Sequence, residues 1–168
     1  TLGIPCIYYG IEQFFDGHGG SDRYLREAMF GGEFGAFGSR GRHFFNEDGP
    51  AYRRLAEILA VRRSRMALRR GRQYLRPISG DGMDFGLPAL VGGQIRSIVA
   101  WSRLFNDEEL LLAINTDPDQ PRTAWVTVED ELHQEGDTLR RMYATEPDGS
   151  PETLPVEARN GKSVRLAV

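Results

Sequence analysis

The pattern of apolar and polar positions changes period twice along the chain. Ile4 to Tyr9 is apolar at almost every position and is flanked by Gly3 and Gly10. Such a run suits a strand buried on both faces, as in a parallel sheet, better than an alternating, half-exposed strand. Residues 1–10 are therefore expected to hold an interior strand. Residues 11–49 carry glycines, aromatics and charges without sustained period. Their length exceeds that of ordinary connections and marks a functional loop system. Within the loop, Ser21 to Phe30 is expected to form a short helical turn with Ser21 or Asp22 as N-cap. From Ala51 to Arg70, Tyr52, Leu55, Ile58, Leu59 and Met66 recur at three- and four-residue spacing. This predicts an amphipathic helix over 50–70, with Pro50 in its first turn and Gly71 ending it.

Beyond Gly71 the pattern turns to β. Gln73–Ser79, Ile95–Phe105, Glu109–Asn115, Ala124–Glu129, Thr138–Ala144 and Ser163–Val168 are rich in β-branched, aromatic and alternating positions. Turn signals separate them: Gly80-Asp81-Gly82, Gly92-Gly93, Asp117-Pro118-Asp119, Pro147-Asp148-Gly149 and Asn160-Gly161. The expected fold is mainly β: six or more short strands over 72–168 imply a sandwich or barrel, preceded over 1–71 by one strand, one long loop and one helix. A single parallel-type strand cannot be buried alone, because its backbone groups would lack partners. Its neighbours are expected from another part of a longer chain, from another subunit, or from a rearrangement that joins it to the β-domain.

Composition narrows the functional classes. The chain has 168 residues, 21 basic and 24 acidic side chains, and a net charge of −3. No apolar run approaches the roughly 20 residues of a membrane span. Cys6 is a lone cysteine, most simply a small core residue. His18, His43 and His133 are too scattered for a metal motif. No metal or cofactor is expected. Of the 20 glycines, 11 lie in the first 49 residues, which reinforces the loop reading. The chain opens on Thr1 without a signal-like n-region or h-region, so a processed product or a piece of a longer protein is expected, and no compartment is read from it.

The residues Gly3-Ile4-Pro5-Cys6-Ile7-Tyr8-Tyr9-Gly10-Ile11-Glu12 resemble the Gly-Ile-Pro-x-Ile-Tyr-Tyr-Gly-x-Glu signature of the alpha-amylase family of glycoside hydrolases. The resemblance implies that residues 1–10 are the last strand of a (β/α)8 catalytic barrel. It makes 11–49 the loop on the active-site side, 50–70 the last barrel helix, and 72–168 the β-sandwich known as domain C. A second match lies in the loop, where Asp22, Arg26 and Met29 follow an Asp, Arg, Met pattern of several members, with Phe30 where a Trp is often near. The resemblance implies that Asp22 and Arg26 bind a glucose unit on the non-reducing side of the cleavage point. A carboxylate accepting from sugar hydroxyls and a guanidinium donating in a fixed fork suit that task. The alternative reading of the pair is an i,i+4 ion pair on a helical turn.

The catalytic carboxylates of the family follow earlier barrel strands, and none of the motifs that carry them occurs here. Retaining hydrolysis needs two carboxyl groups about 5 Å apart. Glu12, Asp16, Asp22 and Glu27 are close in sequence, but acidic groups in a glycine-rich loop are ordinarily solvated or capping. The expectation is thus no catalytic residue in this chain, with Glu12 buttressing the floor of the site. Arginines crowd the helix at Arg53, Arg54, Arg62, Arg63, Arg65, Arg69 and Arg70, yet the net charge is −3 and no nucleic-acid motif accompanies them. Partners expected are an α-glucan or oligosaccharide substrate and the remainder of the barrel, with self-association through the exposed barrel face, and neither nucleic acid nor membrane. The competing function is a carbohydrate-binding module using Trp101, Trp125 or His43-Phe44-Phe45 as sugar platform. Core packing is the expectation for the two tryptophans, and packing beneath the loop for the phenylalanines.

Overall fold

A computed structural model of the chain describes residues 3, 5–15, 17, 20–32, 41–90, 92–145 and 152–168. Asp16, His18, Ile4 and the Pro147-Asp148-Gly149 turn lie outside the described residues. The chain divides into two compact units, Thr1–Ala60 and Val61–Val168.

In the first unit the interior strand expected over 1–10 does not form in the described residues. Pro5 to Tyr8 makes no strand pairing, and Ile7, Tyr8 and Tyr9 are each more than two fifths exposed. Cys6 is exposed rather than in a core. The physical reason is the one noted from the sequence: the run has no neighbouring strand to take its N–H and C=O groups. After it comes a 3-10 turn, Ile11–Gln13, in which the Glu12 carboxylate accepts from the Gly10 N–H at 3.0 Å. Gln13 and Asn46 exchange side-chain to backbone hydrogen bonds at 2.7 and 3.3 Å, which ties the start of the loop to its end. The expected turn in the loop is helix α1 (Asp22–Leu25), with Ser21 in the N-cap position but making no side-chain cap bond.

The single helix predicted over 50–70 is two: α2 (Pro50–Ser64) and α3 (Met66–Arg70). Arg65 between them is extended at φ −123° and ψ 125°. The Ser64 hydroxyl donates back to the Val61 carbonyl, a local bond that competes with the helical ladder. Glu108 then accepts from the Ala67 N–H at 3.3 Å and from the Arg65 guanidinium. A carboxylate from a strand thus serves a free N–H of α3 as an N-cap would. Gly71 ends α3, as expected. A Cβ there would lie 2.5 Å from the Ala67 carbonyl oxygen and 2.7 Å from that of Leu104, so only glycine allows this close approach of backbones.

The second unit is mainly β with antiparallel sheets. Its strands are β1 (Arg72–Leu75), β2 (Ile78–Ser79), β3 (Ile98–Phe105), β4 (Glu108–Asn115), β5 (Thr123–Thr127), β6 (Thr138–Arg140), β7 (Thr153–Pro155) and β8 (Ser163–Ala167). Two three-stranded sheets have the orders β1-β3-β4 and β2-β5-β8, and β6 pairs with β7. The predicted strand over 73–79 is broken into β1 and β2, which lie in different sheets. Ile98 and Ala100 of one sheet pack with Ala124 and Val126 of the other, joined by Ile78, Leu111, Ala113 and Leu166. Burying each large aliphatic side chain contributes roughly 1.5–3 kcal/mol. This shared core is compatible with a β-sandwich. The Asn160-Gly161 signal stands in a turn closed by the Glu157 and Ser163 bridge, both residues left-handed at φ 46° and 82°. Helix α3 packs on β3 and β4, and Arg103 donates to the Ala67 carbonyl. That packing places α3 with the β unit, in the compact unit Val61–Val168.

Candidate substrate-binding site

The residues singled out by the Asp, Arg, Met pattern sit on and just after α1. One turn of helix carries Asp22 and Arg26 to the same side, and their side chains pair at 3.2 Å while remaining 78% and 60% exposed. The ion-pair reading of the sequence is therefore realised, and both groups still face water. Met29 behind them is buried, whereas Phe30 is exposed. Phe44 N–H donates to the Met29 carbonyl and Gly31 N–H to that of Arg42, so 29–32 and 41–44 run side by side. No periodicity announces this short ladder.

Tyr9 lies within electrostatic reach of Arg26 and of Glu27. Tyr9 has its hydroxyl pKa raised, first by desolvation and then by the neighbouring Tyr8, with Arg26 opposing and Glu27 adding to the shift. Glu27, next to Arg26 in sequence, is only 2% exposed. The sequence marked Tyr9 as part of a strand and Glu27 as one of four loop carboxylates. The approach of Arg26 and Glu27 to Tyr9 depends on how the loop folds back. Glu12 is occupied in bracing the Gly10 turn. Asp16 lies outside the described residues. The geometry suits binding of hydroxyl groups by an exposed carboxylate and guanidinium.

The aromatic run before α2 is only half-buried. Phe44 stands 5.3 Å from Phe15, and Phe45 5.6 Å from Tyr52 and 6.0 Å from Phe30, centroid to centroid. Phe44 and Phe45 are 44% and 43% exposed, so the expected packing beneath the loop is partial. Trp101 and Trp125 are buried, at 4% and 9% exposure, as core packing required. Arg159 also covers the Trp125 ring at 4.3 Å. Neither indole offers a face to a sugar.

The β unit holds polar chemistry that the sequence did not announce. Glu109 has a fully buried side chain. One of its oxygens takes the Arg76 guanidinium at 2.9 Å and the Ser102 hydroxyl, while the other takes the Glu129 N–H at 2.9 Å and meets His133 Nε2 at 2.7 Å. Here a carboxylate lies between serine and histidine, so the histidine cannot activate the hydroxyl as in a nucleophilic triad. The cluster is structural. Asp81 accepts from the Met83 N–H, the Ser79 hydroxyl and the Asp84 N–H, which hold its pKa down at about 2. Asp117 is likewise lowered, by the Asp119 N–H first and the Arg122 guanidinium second. Among the described residues, no group of three or more His, Cys, Asp or Glu is placed to hold a metal ion.

Comparison with known proteins gives no match, either to a family model or to a curated protein.

Proposed function

We propose that the chain is the C-terminal part of an alpha-amylase family enzyme acting on α-glucosidic bonds of starch-like glucans or oligosaccharides. The observation that carries this reading is the run from Gly3 to Glu12, followed in order by a glycine-rich loop, a helix and an antiparallel β unit. Residues 1–71 are the end of the catalytic barrel, and 72–168 is domain C. Asp22 and Arg26 bind a sugar unit, with their exposure and pairing in support. Glu12 braces the turn after the last strand. The chain supplies none of the catalytic carboxylates. Its apolar run at Ile7, Tyr8 and Tyr9, left in water here, is what the rest of the barrel would pair and cover.

The test pairs this chain with the longer protein read from its gene. Upstream sequence is expected to contain the three carboxylate motifs, and the longer protein is expected to cleave maltoheptaose while residues 1–168 alone do not. Turnover that co-purifies with residues 1–168 at constant specific activity overturns the reading, as does an upstream sequence without those carboxylates.

A further inference from the structure

The segment 61–72 holds six arginines, at 62, 63, 65, 69, 70 and 72, and no acidic residue, in a chain whose net charge is −3. Arg65 is paired with Glu108. The side chains of Arg70 and Arg72 make no hydrogen bond or ion pair with any described residue. They line a cleft of about 400 Å³ together with Leu104, Phe105 and Asn106, all within the β unit. We propose that this cleft binds the phosphoryl group of a small organic phosphate.

Three features of the fold carry the assignment. First, the backbone that carries the two arginines is fixed. Gly71 between them lies against the Ala67 and Leu104 carbonyls, and Arg72 is in register with Leu104 in the β1–β3 pair. The backbone on both sides of the glycine is therefore fixed by α3 and β3, and both arginines border one cleft. Second, two arginines bordering one cleft offer guanidinium forks to an oxyanion. Two planar forks offer more donors than the two oxygens of a carboxylate use, and suit the three free oxygens of a phosphate monoester. The Asn106 side chain adds an amide donor at the turn after β3. Third, the volume lies in the range of small-molecule sites and exceeds that of a bare phosphate. Leu104 and Phe105 supply an apolar wall for the body of the ester. The inference is independent of the amylase reading, because it uses neither the loop nor Asp22 and Arg26.

The experiment is calorimetric titration of the 168-residue chain at low ionic strength with phenyl phosphate, inorganic phosphate and phenol. Phenyl phosphate is expected to bind saturably at one site, more tightly than inorganic phosphate, and phenol not at all. Arg70→Gln and Arg72→Gln should each weaken phenyl phosphate by about tenfold, the scale of one lost charge-assisted fork. Arg63→Gln, outside the cleft, should leave the affinity within about twofold. Circular dichroism melting confirms that each variant folds, and Arg72→Lys provides a gentler substitution that keeps charge but loses the fork. Absence of saturable binding overturns the proposal, as does equal weakening by Arg63→Gln, which would mean diffuse attraction to the arginine-rich surface. Inorganic phosphate binding as tightly as the ester overturns the role given to Leu104 and Phe105.

Discussion

Asp22 and Arg26 form an ion pair that holds little stability, because both groups are mostly in water and exposed pairs contribute about 0–1 kcal/mol. A functional role then shows in kinetics rather than in folding. In the longer enzyme proposed above, Asp22→Ala is expected to lower kcat/KM for short malto-oligosaccharides by about tenfold, equivalent to about 1.4 kcal/mol, with an unchanged melting temperature. Unchanged kinetics would leave the pair as a surface contact. Asp81 works the other way, as a local brace. Its folded pKa of about 2 lies below the ordinary 3.8, so its contribution is complete above the ordinary carboxylate range and is lost as pH falls towards 2. Asp81→Asn should flatten the fall of the melting temperature between about pH 4 and 2. A slope identical to that of the unsubstituted chain would refute this. The Gly80-Asp81-Gly82 turn was legible in sequence. The three donors on the carboxylate were not, since they depend on the path the turn takes.

At the scale of elements, the Glu109 cluster joins segments far apart in sequence. Arg76 lies between β1 and β2, Ser102 on β3, Glu109 on β4, and Glu129 and His133 after β5. The alternation of β4 places Glu109 on the face that carries Leu111 and Ala113 into the core. A buried carboxylate there is tolerated because its lone pairs are satisfied. Glu109→Gln keeps the shape but removes the charge and offers N–H groups where acceptors are needed. It is expected to cost about 3 kcal/mol, the scale of breaking a buried pair, measured by urea unfolding of the β unit. A change below about 0.5 kcal/mol, within the usual range of surface substitutions, would show the cluster to be incidental. The strands themselves were largely legible, because alternation and turn residues are local signals. The break at Arg65 was not, since Glu108 reaches it from a strand that follows far along the chain. Strand β7, with its central Leu154 flanked by exposed Thr153 and Pro155, gave too short a pattern to stand out.

For the whole molecule, the apolar groups left in water set its behaviour. Helix α2 has no buried residue, and Ile58 and Leu59 are 45% and 42% exposed. The run at Ile7, Tyr8 and Tyr9 is equally open. Surfaces of this kind mark interaction sites. Sedimentation velocity should show the 168-residue chain associating as its concentration rises, and Ile58→Glu with Leu59→Glu should return it to monomer. A concentration-independent monomer would refute self-association through this helix. The amino-acid order alone determined the mainly β second half, the helix after Pro50, the ending at Gly71 and the resemblance in Gly3–Glu12, because each rests on period, turn chemistry or a contiguous motif. Tertiary structure alone decided that the apolar run forms no strand by itself, that the helix divides, that α3 joins the β unit, and that two arginines flank one cleft. Each of those outcomes turns on whether a partner from distant sequence supplies a hydrogen bond or a packing surface, and local pattern does not specify that partner.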